Sequence, residues 1–303
     1  MYNNDRISKG GNAKNGSVSL SASKLAWVGS NFLVAIIGGY YTFSWQIFTL
    51  FLSFTAITLC LGHSLGMHRR FIHQSYDCPK WVEYIFVHFG VLVGLAGPYG
   101  MIRTHDIRDW AQRQSDCHSY FRHGEHKFKD AYWQLLCNIN LEHPPTITIE
   151  DEYWHDPVYQ WMERYWMWQQ LPWALMFLAI GGIDWVIWGV AARTSISILG
   201  HWFIGYFAHN QGHKSWHVEG AVVQGHNIRF TGWITMGECW HNNHHAFPGS
   251  ALLGIEKGQS DPGWWVLMAL QKVGLVWNIK THLDLPDRPE LVQLLEGELH
   301  EAR

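Results

Sequence analysis

Three histidines packed into one short stretch are the strongest chemical signal in the chain. They lie in Trp240-His241-Asn242-Asn243-His244-His245-Ala246-Phe247-Pro248. A helix advancing about 100° per residue returns offsets of three and four to within about 60° and 40° of the start. His241, His244 and His245 therefore share one helical face, and three neutral imidazoles there present lone pairs to a metal. Pro248 ends the helix soon after. A polar surface turn gives the competing, non-chemical explanation. His63 and His68 form a second pair, H-x-x-x-x-H. Five residues apart on an ideal helix means about 140°. The pair must then serve two metals, or the helix must loosen, which Gly62 and Gly66 permit.

The rest of the chain has to hold these residues. Of 303 residues 20 are histidine, 48% are hydrophobic and only 16% are charged, against about 25% charged in soluble domains. Nineteen Trp and 15% aromatics suit a membrane interface, where an indole offers an apolar body and a polar N–H. A net charge of -3 supplies no basic field for nucleic acid. Five scattered cysteines (Cys60, Cys78, Cys117, Cys137, Cys239) without C-x-x-C spacing fit thiols in a reducing compartment.

Residues 1–24, rich in Asn, Gly, Ser and Lys, read as a disordered polar tail without a signal peptide. From Leu25 to Gly62 there is no Asp, Glu, Lys, Arg or His. At about 20 apolar residues per span, this predicts a hairpin of spans 25–42 and 45–62, with the segment from Gly38 to Trp45 offering the turn between them. A second apolar block, broken at Gly181-Gly182-Ile183-Asp184 and interrupted by Arg193, predicts spans 166–181 and 185–208. Trp81 to Ile102 reads as one partly buried or interfacial helix. Lys and Arg flank the hairpins and are missing from their tips, so both termini and the histidine-rich segments are expected in the cytoplasm. The expected fold is an all-α membrane protein. Four transmembrane helices in two hairpins carry a cytosolic His-rich helical cap, within a domain over 25–280, and residues 281–303 form a C-terminal tail.

With these residues in view, the chain resembles the membrane fatty acid desaturases of the stearoyl-CoA desaturase type. The resemblance runs from about residue 25 to 280. It is carried by His63-SLGM-His68, Arg103-THDIRDW, Phe207-AHNQGH and Gly237-ECWHNNHHAFP, with an amphipathic segment around Asp261-Pro262-Gly263-Trp264-Trp265. It implies two non-haem irons held by His63, His68, His105, His209, His241, His244 and His245, with oxygen as co-substrate. The implied reaction inserts a double bond into a long acyl chain using two electrons. No haem-binding or nucleotide-binding segment is visible, so the resemblance implies a separate donor of ferredoxin or cytochrome b5 type.

Two positions depart from the family pattern. The family's second box, H-x-x-H-H, reads His105-Asp106-Ile107-Arg108-Asp109, and the Arg108 guanidinium has no lone pair to give. Asp109 offers carboxylate oxygen at offset four, or it makes only ion pairs. Gly205 stands where the family often has an Asn. His118, His123, His213 and His217 are candidate replacements, or polar surface. His73, His88, His126, His143, His155, His201, His226, His282 and His300 carry no distinguishing spacing and read as structural or solvated.

Breaking an unactivated C–H bond exceeds what side chains achieve, so a metal must carry it. A membrane di-iron hydroxylase shares that chemistry and differs in product. A catalytically degraded homologue would bind little iron. A metal transporter would need its ligands within the bilayer, whereas these lie at helix ends.

Overall fold

The computed structural model describes residues 6–294; the outer parts of both expected tails, 1–5 and 295–303 with His300, lie outside the described residues. Strand β1 (Gly16–Leu20) leads into α1 (Ala22–Thr42) and α2 (Trp45–Ile57), which continues as a π-helix over Thr58–Ile72. Next come α3 (Lys80–Leu92), α4 (Pro98–Gln112), the short α5 (Ser119–Arg122), α6 (Lys127–Leu136), β2 (Cys137–Leu141), the short α7 (Asp151–Trp154) and α8 (Pro157–Arg164). The last apolar block is α9 (Gln170–Val186), a π-segment (Ile187–Ala192) and α10 (Arg193–Asn210). β3 (Trp216–Val218), α11 (His241–Ala246), α12 (Pro262–Lys272) and β4 (Leu291–Gln293) complete the order.

Among the described residues three helices are long and apolar enough to cross a membrane: Ala22–Thr42, Trp45–Ile72 and Met167–Asn210. Ser21 and Ser44 cap the first two, each side chain accepting a backbone N–H three residues on. Their outer faces show Ile36, Tyr40, Trp45 and Ile180 exposed by 64–81%, apolar surface that lipid accepts and water opposes. The first turn falls at Phe43-Ser44, within the segment from Gly38 to Trp45. A Cβ on Gly38 would lie 2.9 Å from the Ile187 side chain, so Gly38 serves close packing within α1.

The third helix loses helical geometry at Gly182, with φ +73° and ψ −167°, within the Gly-Gly break expected from the sequence. The chain turns back there. A Cβ on Gly189 would touch the Phe177 ring at 2.6 Å, although twelve residues of unbroken helix would separate them by about 18 Å. Beyond this turn Arg193 is fully buried. Its guanidinium donates to the carbonyls of Leu92 (2.6 Å) and Gly189 (2.8 Å) and to Gln170 Oε1 (2.5 Å).

The expected single helix over 81–102 divides into α3 and α4. Gly94, at φ +90°, turns the chain, and Pro98 starts α4 in its first turn. The π-helix lies between two cores. One gathers Met67, Phe71 and Ile72 with Tyr99, Tyr153 and Tyr159, and the other gathers Leu65 with Phe86, Leu267 and Val276. A Cβ on Gly62 would sit 2.3 Å from the Phe89 backbone, and one on Gly66 would sit 2.5 Å from the Phe86 carbonyl. Both glycines therefore let α3 press against the π-helix.

Two small sheets qualify the all-α expectation. β1 pairs antiparallel with β2, and β3 with β4. From residue 6 onward the expected N-terminal tail is docked, because β1 finds a partner edge and Arg6, 3% exposed, pairs with Glu150 (2.7 Å) and Asp106 (3.6 Å). Up to residue 294 the C-terminal tail is likewise held, through β4. All five cysteines are buried, free thiols.

Candidate metal centre

α11 carries the H-x-x-H-H motif on six residues, and the two asparagines between the histidines fix it. Asn242 Oδ1 accepts the backbone N–H groups of Ser215 (2.8 Å) and Trp216 (2.9 Å). Asn243 Nδ2 donates to the Leu253 carbonyl at 2.7 Å. Both asparagines are buried, so every polar group on the rear face has a partner and the histidine face is held in one orientation.

That face divides. His244 joins His68 and His73 of the π-helix end and His105 of α4, while His241 and His245 join His209 of α10. Within each group, one ligand atom per residue lies within 4.8 Å of the others. The two groups are adjacent, with the His241 and His244 rings 5.8 Å apart and those of His244 and His245 6.0 Å apart.

The nitrogens themselves argue for a cation. A neutral imidazole has one N–H and one lone pair. His209 Nδ1 donates to the Gly205 carbonyl at 2.7 Å, which leaves the lone pair on Nε2. His241 Nε2 lies 3.0 Å from both His209 Nε2 and His245 Nε2, and one hydrogen cannot bridge both contacts. A metal accepting all three lone pairs satisfies the arrangement. In the first group, His73 Nε2 and His244 Nδ1 are buried without a hydrogen-bond partner. Burial, reinforced by neighbouring histidines, holds His73, His241 and His244 well below the ordinary imidazole range. Burial lowers His245 to about 4, against the pull of Asp109. All four are neutral near pH 7, the form a metal takes.

Carboxylates back the first group. Glu238 lies 2.6 Å from His68 Nδ1 and accepts from Ser64 Oγ at 2.6 Å. Burial alone would raise its carboxyl, but His68 and Arg69 hold it at about 2. Arg69 in turn pairs with Asp261 at 2.8 Å. Asp106 Oδ1 lies 3.0 Å from His105 Nδ1, and Arg6 stands behind it. Such outer partners fix a ring's tautomer and direction.

Of the residues implied by resemblance, six enter the two groups. His63 does not; its ring faces His201, 5.2 Å away. Among the candidate replacements, His118 Nδ1 accepts the Tyr120 N–H at 3.1 Å. His123 is committed at both nitrogens, to Asp130 (2.9 Å) and to Arg108 (3.0 Å), although its ring stacks on His209 at 5.3 Å. His213 contacts Ser215 at 3.2 Å, and His217 lies in β3; neither joins a group. Asp109 Oδ1 accepts from Arg113 at 3.2 Å. Arg108 turns away from the groups, donating to Gln134 Oε1 at 2.7 Å. Sequence reasoning passed over His73, Glu238 and Asp106. For His73 a signal existed in the equal spacing of 63, 68 and 73.

Comparison with known proteins finds desaturases of lipids and acyl-CoA. The chain is 30% identical over 267 residues to the sn-1 stearoyl-lipid 9-desaturase of Anabaena variabilis, covering 85% of this chain and 94% of that protein. It is 29% identical over 249 residues to the acyl-CoA 5-desaturase AL21 of Anemone leveillei, covering 82% and 76%. With the sn-2 palmitoyl-lipid 9-desaturase of Nostoc sp. (strain 36) it shares 27% over 266 residues, covering 84% and 90%. No family model matches the chain.

Proposed function

The chain belongs to the family of lipid and acyl-CoA desaturases, a family of oxidoreductases, and from that premise we propose that it is an oxygen-dependent di-iron desaturase of long acyl chains. The convergence of seven imidazoles into two adjacent groups is the observation that carries this reading. Iron suits a donor set of imidazoles with carboxylates nearby, and when bound it supplies the oxidising power to remove hydrogen from an unactivated methylene.

The protein's own part is placement and exclusion. His68, His73, His105 and His244 hold one metal, and His209, His241 and His245 the other, with Asp109 acting on His245 from α4. Glu238 and Asp106 accept hydrogen bonds from the outer nitrogens of His68 and His105 and so aim the inner ones. A span of about 20 residues counted from Trp45 ends near Ser64, which puts His68 and His73 at the membrane boundary. There an acyl chain lying among the apolar helices meets the metals. The turn at Gly182 supports two spans within Met167–Asn210, hence four in all, and the Lys and Arg flanks support cytoplasmic termini and histidine motifs. The acyl chain is carried as a CoA thioester or a lipid ester, as in the relatives, and a ferredoxin or cytochrome b5 type partner brings electrons.

Expression in a desaturase-deficient host, followed by analysis of total fatty acids, tests this. A new monounsaturated acyl chain is the expected result. A hydroxy acid in its place assigns the hydroxylase, and no change in a host shown to load the protein with iron overturns both.

A further inference from the structure

We propose that the loop 229–234, with Lys257 and Trp265 beside it, is an anchor on the surface of the bilayer that the apolar helices enter. Its aromatic tips reach the boundary between headgroups and acyl chains, and its two cations take the phosphates of anionic phospholipid. This rests on reading those helices as membrane spans. The loop presents an apolar patch without protein cover. Phe230 is 98% exposed, Ile234 70%, Trp233 63% and Trp265 46%, and the Trp233 and Trp265 rings meet edge to face at 4.9 Å. Phe230 carries a second mark. Its φ is +69°, a region that a bulky side chain seldom enters, and such backbone cost collects in segments that clamp a ligand. The turn is also fixed, since the Thr231 hydroxyl donates to the Ile228 carbonyl (3.0 Å) and the Thr235 hydroxyl to the Thr231 carbonyl (2.8 Å).

Its contacts put the loop at the membrane boundary. Beyond its far end Ser64 and Arg69 of the π-helix both donate to the Met236 carbonyl (3.4 and 3.1 Å), and Ser64 is where the span counted from Trp45 ends. At its near end Ile228 packs on the cluster of Cys239, Trp240 and Leu253, and so does Ile204 from the last two turns of α10. The patch therefore stands between the ends of two spans. The charges agree. Arg229 and Lys257 are exposed and line one cavity of about 420 Å³ with Phe230 and Trp233. Neither cation enters an ion pair among the described residues. The one carboxylate on that cavity, Glu256, is taken by Ser215 and Gln259. Apolar tips alone would suit a protein partner; with two uncompensated cations at membrane level they suit an anionic lipid surface.

The test attaches a nitroxide to Ile234→Cys and, separately, to Leu283→Cys in the full-length protein inserted in lipid nanodiscs, with melting curves to check folding. The five native cysteines are buried, so the label goes to the introduced one. Leu283 is 83% exposed but follows Lys280, whose N–H bonds the Ser75 carbonyl at 2.8 Å, well past Ser64. Power saturation against oxygen and a water-soluble nickel chelate should read lipid at position 234 and water at 283. In neutral detergent micelles, short-chain phosphatidylglycerol should immobilise the label at 234 at lower concentration than phosphatidylcholine. Arg229→Gln and Lys257→Gln together should weaken that binding about 25-fold, roughly five-fold for each cation. A label at 234 as wet as that at 283, in protein that remains inserted, overturns the anchor and leaves the spans standing. One that is wet in discs holding one copy and shielded in discs holding two gives the face to a second copy and overturns the anchor as well. Equal affinity for the two lipids, or displacement of phosphatidylglycerol by inorganic phosphate alone, overturns the anionic lipid surface as the partner. A wild type that stays monodisperse in water without detergent overturns the spans and the anchor together.

Discussion

The two histidine groups are built differently. The first draws on three elements, the π-helix, α4 and α11, and has a carboxylate behind two of its rings, Glu238 at His68 and Asp106 at His105. The second draws on α10 and α11 alone, and its rings crowd one another, with His241 Nε2 at 3.0 Å from two neighbours. His209 leans on the Gly205 backbone, and Asp109 acts on His245. Outer carboxylates make imidazoles better donors and hold them still. The first group is thus oriented chiefly by outer carboxylates, whereas in the second the rings press on one another with their nitrogens already 3.0 Å apart.

Substituting the shared helix gives the largest effects. His241→Ala and His244→Ala should each lose one metal, from different groups, and reduce turnover by at least about 1000-fold, since a ligand is lost outright and not merely an outer partner. Iron counts and single-turnover assays on both variants check this. If either substitution removes both metals, the groups are one unit and the contrast fails. Glu238→Gln keeps the shape of the residue and removes its charge, so cobalt affinity at the first group should fall by about 10–100-fold while the second is unchanged. Equal loss at both would show that the carboxylate serves the whole site.

Asp109→Ala addresses the second group. Because its carboxylate acts on His245, removal should weaken that metal by about 10-fold, within the range for outer partners, and Asp109→His should retain the metal. Complete loss in Asp109→Ala would make the residue a ligand. Arg6→Ala is expected to have the smallest effect, a few-fold drop in first-group affinity, because Arg6 acts on His105 only through Asp106. No change would show that Asp106 is held without it.

The parts of this site that depend on α-helical spacing were legible in the sequence. His241, His244 and His245 share a face as the 3.6-residue period requires, and the break at Gly181-Gly182 was legible from its glycines. The parts that depend on a different helix or on distant pairing were not. An α-helix gives no reason to group 63, 68 and 73, so His73 passed for one more polar residue. Nor does α-helical spacing say that three histidines of α11 divide between two groups. β1 escaped notice because its pairing with β2 joins residues more than a hundred positions apart, and a five-residue polar strand has little periodicity of its own. That Gly38 stays within α1 to admit the Ile187 side chain was not legible, because a glycine that admits a neighbouring side chain looks, in sequence, like one that bends the chain.

Arg193 has a consequence for how the protein is made. A charged side chain at the middle of a membrane helix costs about 2.5–3.5 kcal/mol on insertion, and this guanidinium meets the carbonyls of Leu92 and Gly189 and the amide of Gln170. All three acceptors lie earlier in the chain. On the proposed reading of α10 as a membrane span, the groups that shelter its charge have already been synthesised when it leaves the ribosome, and the helix can enter the bilayer against a partly assembled bundle. Order of synthesis therefore helps insertion: with α10 placed first, the same sequence would have to insert its arginine unsheltered.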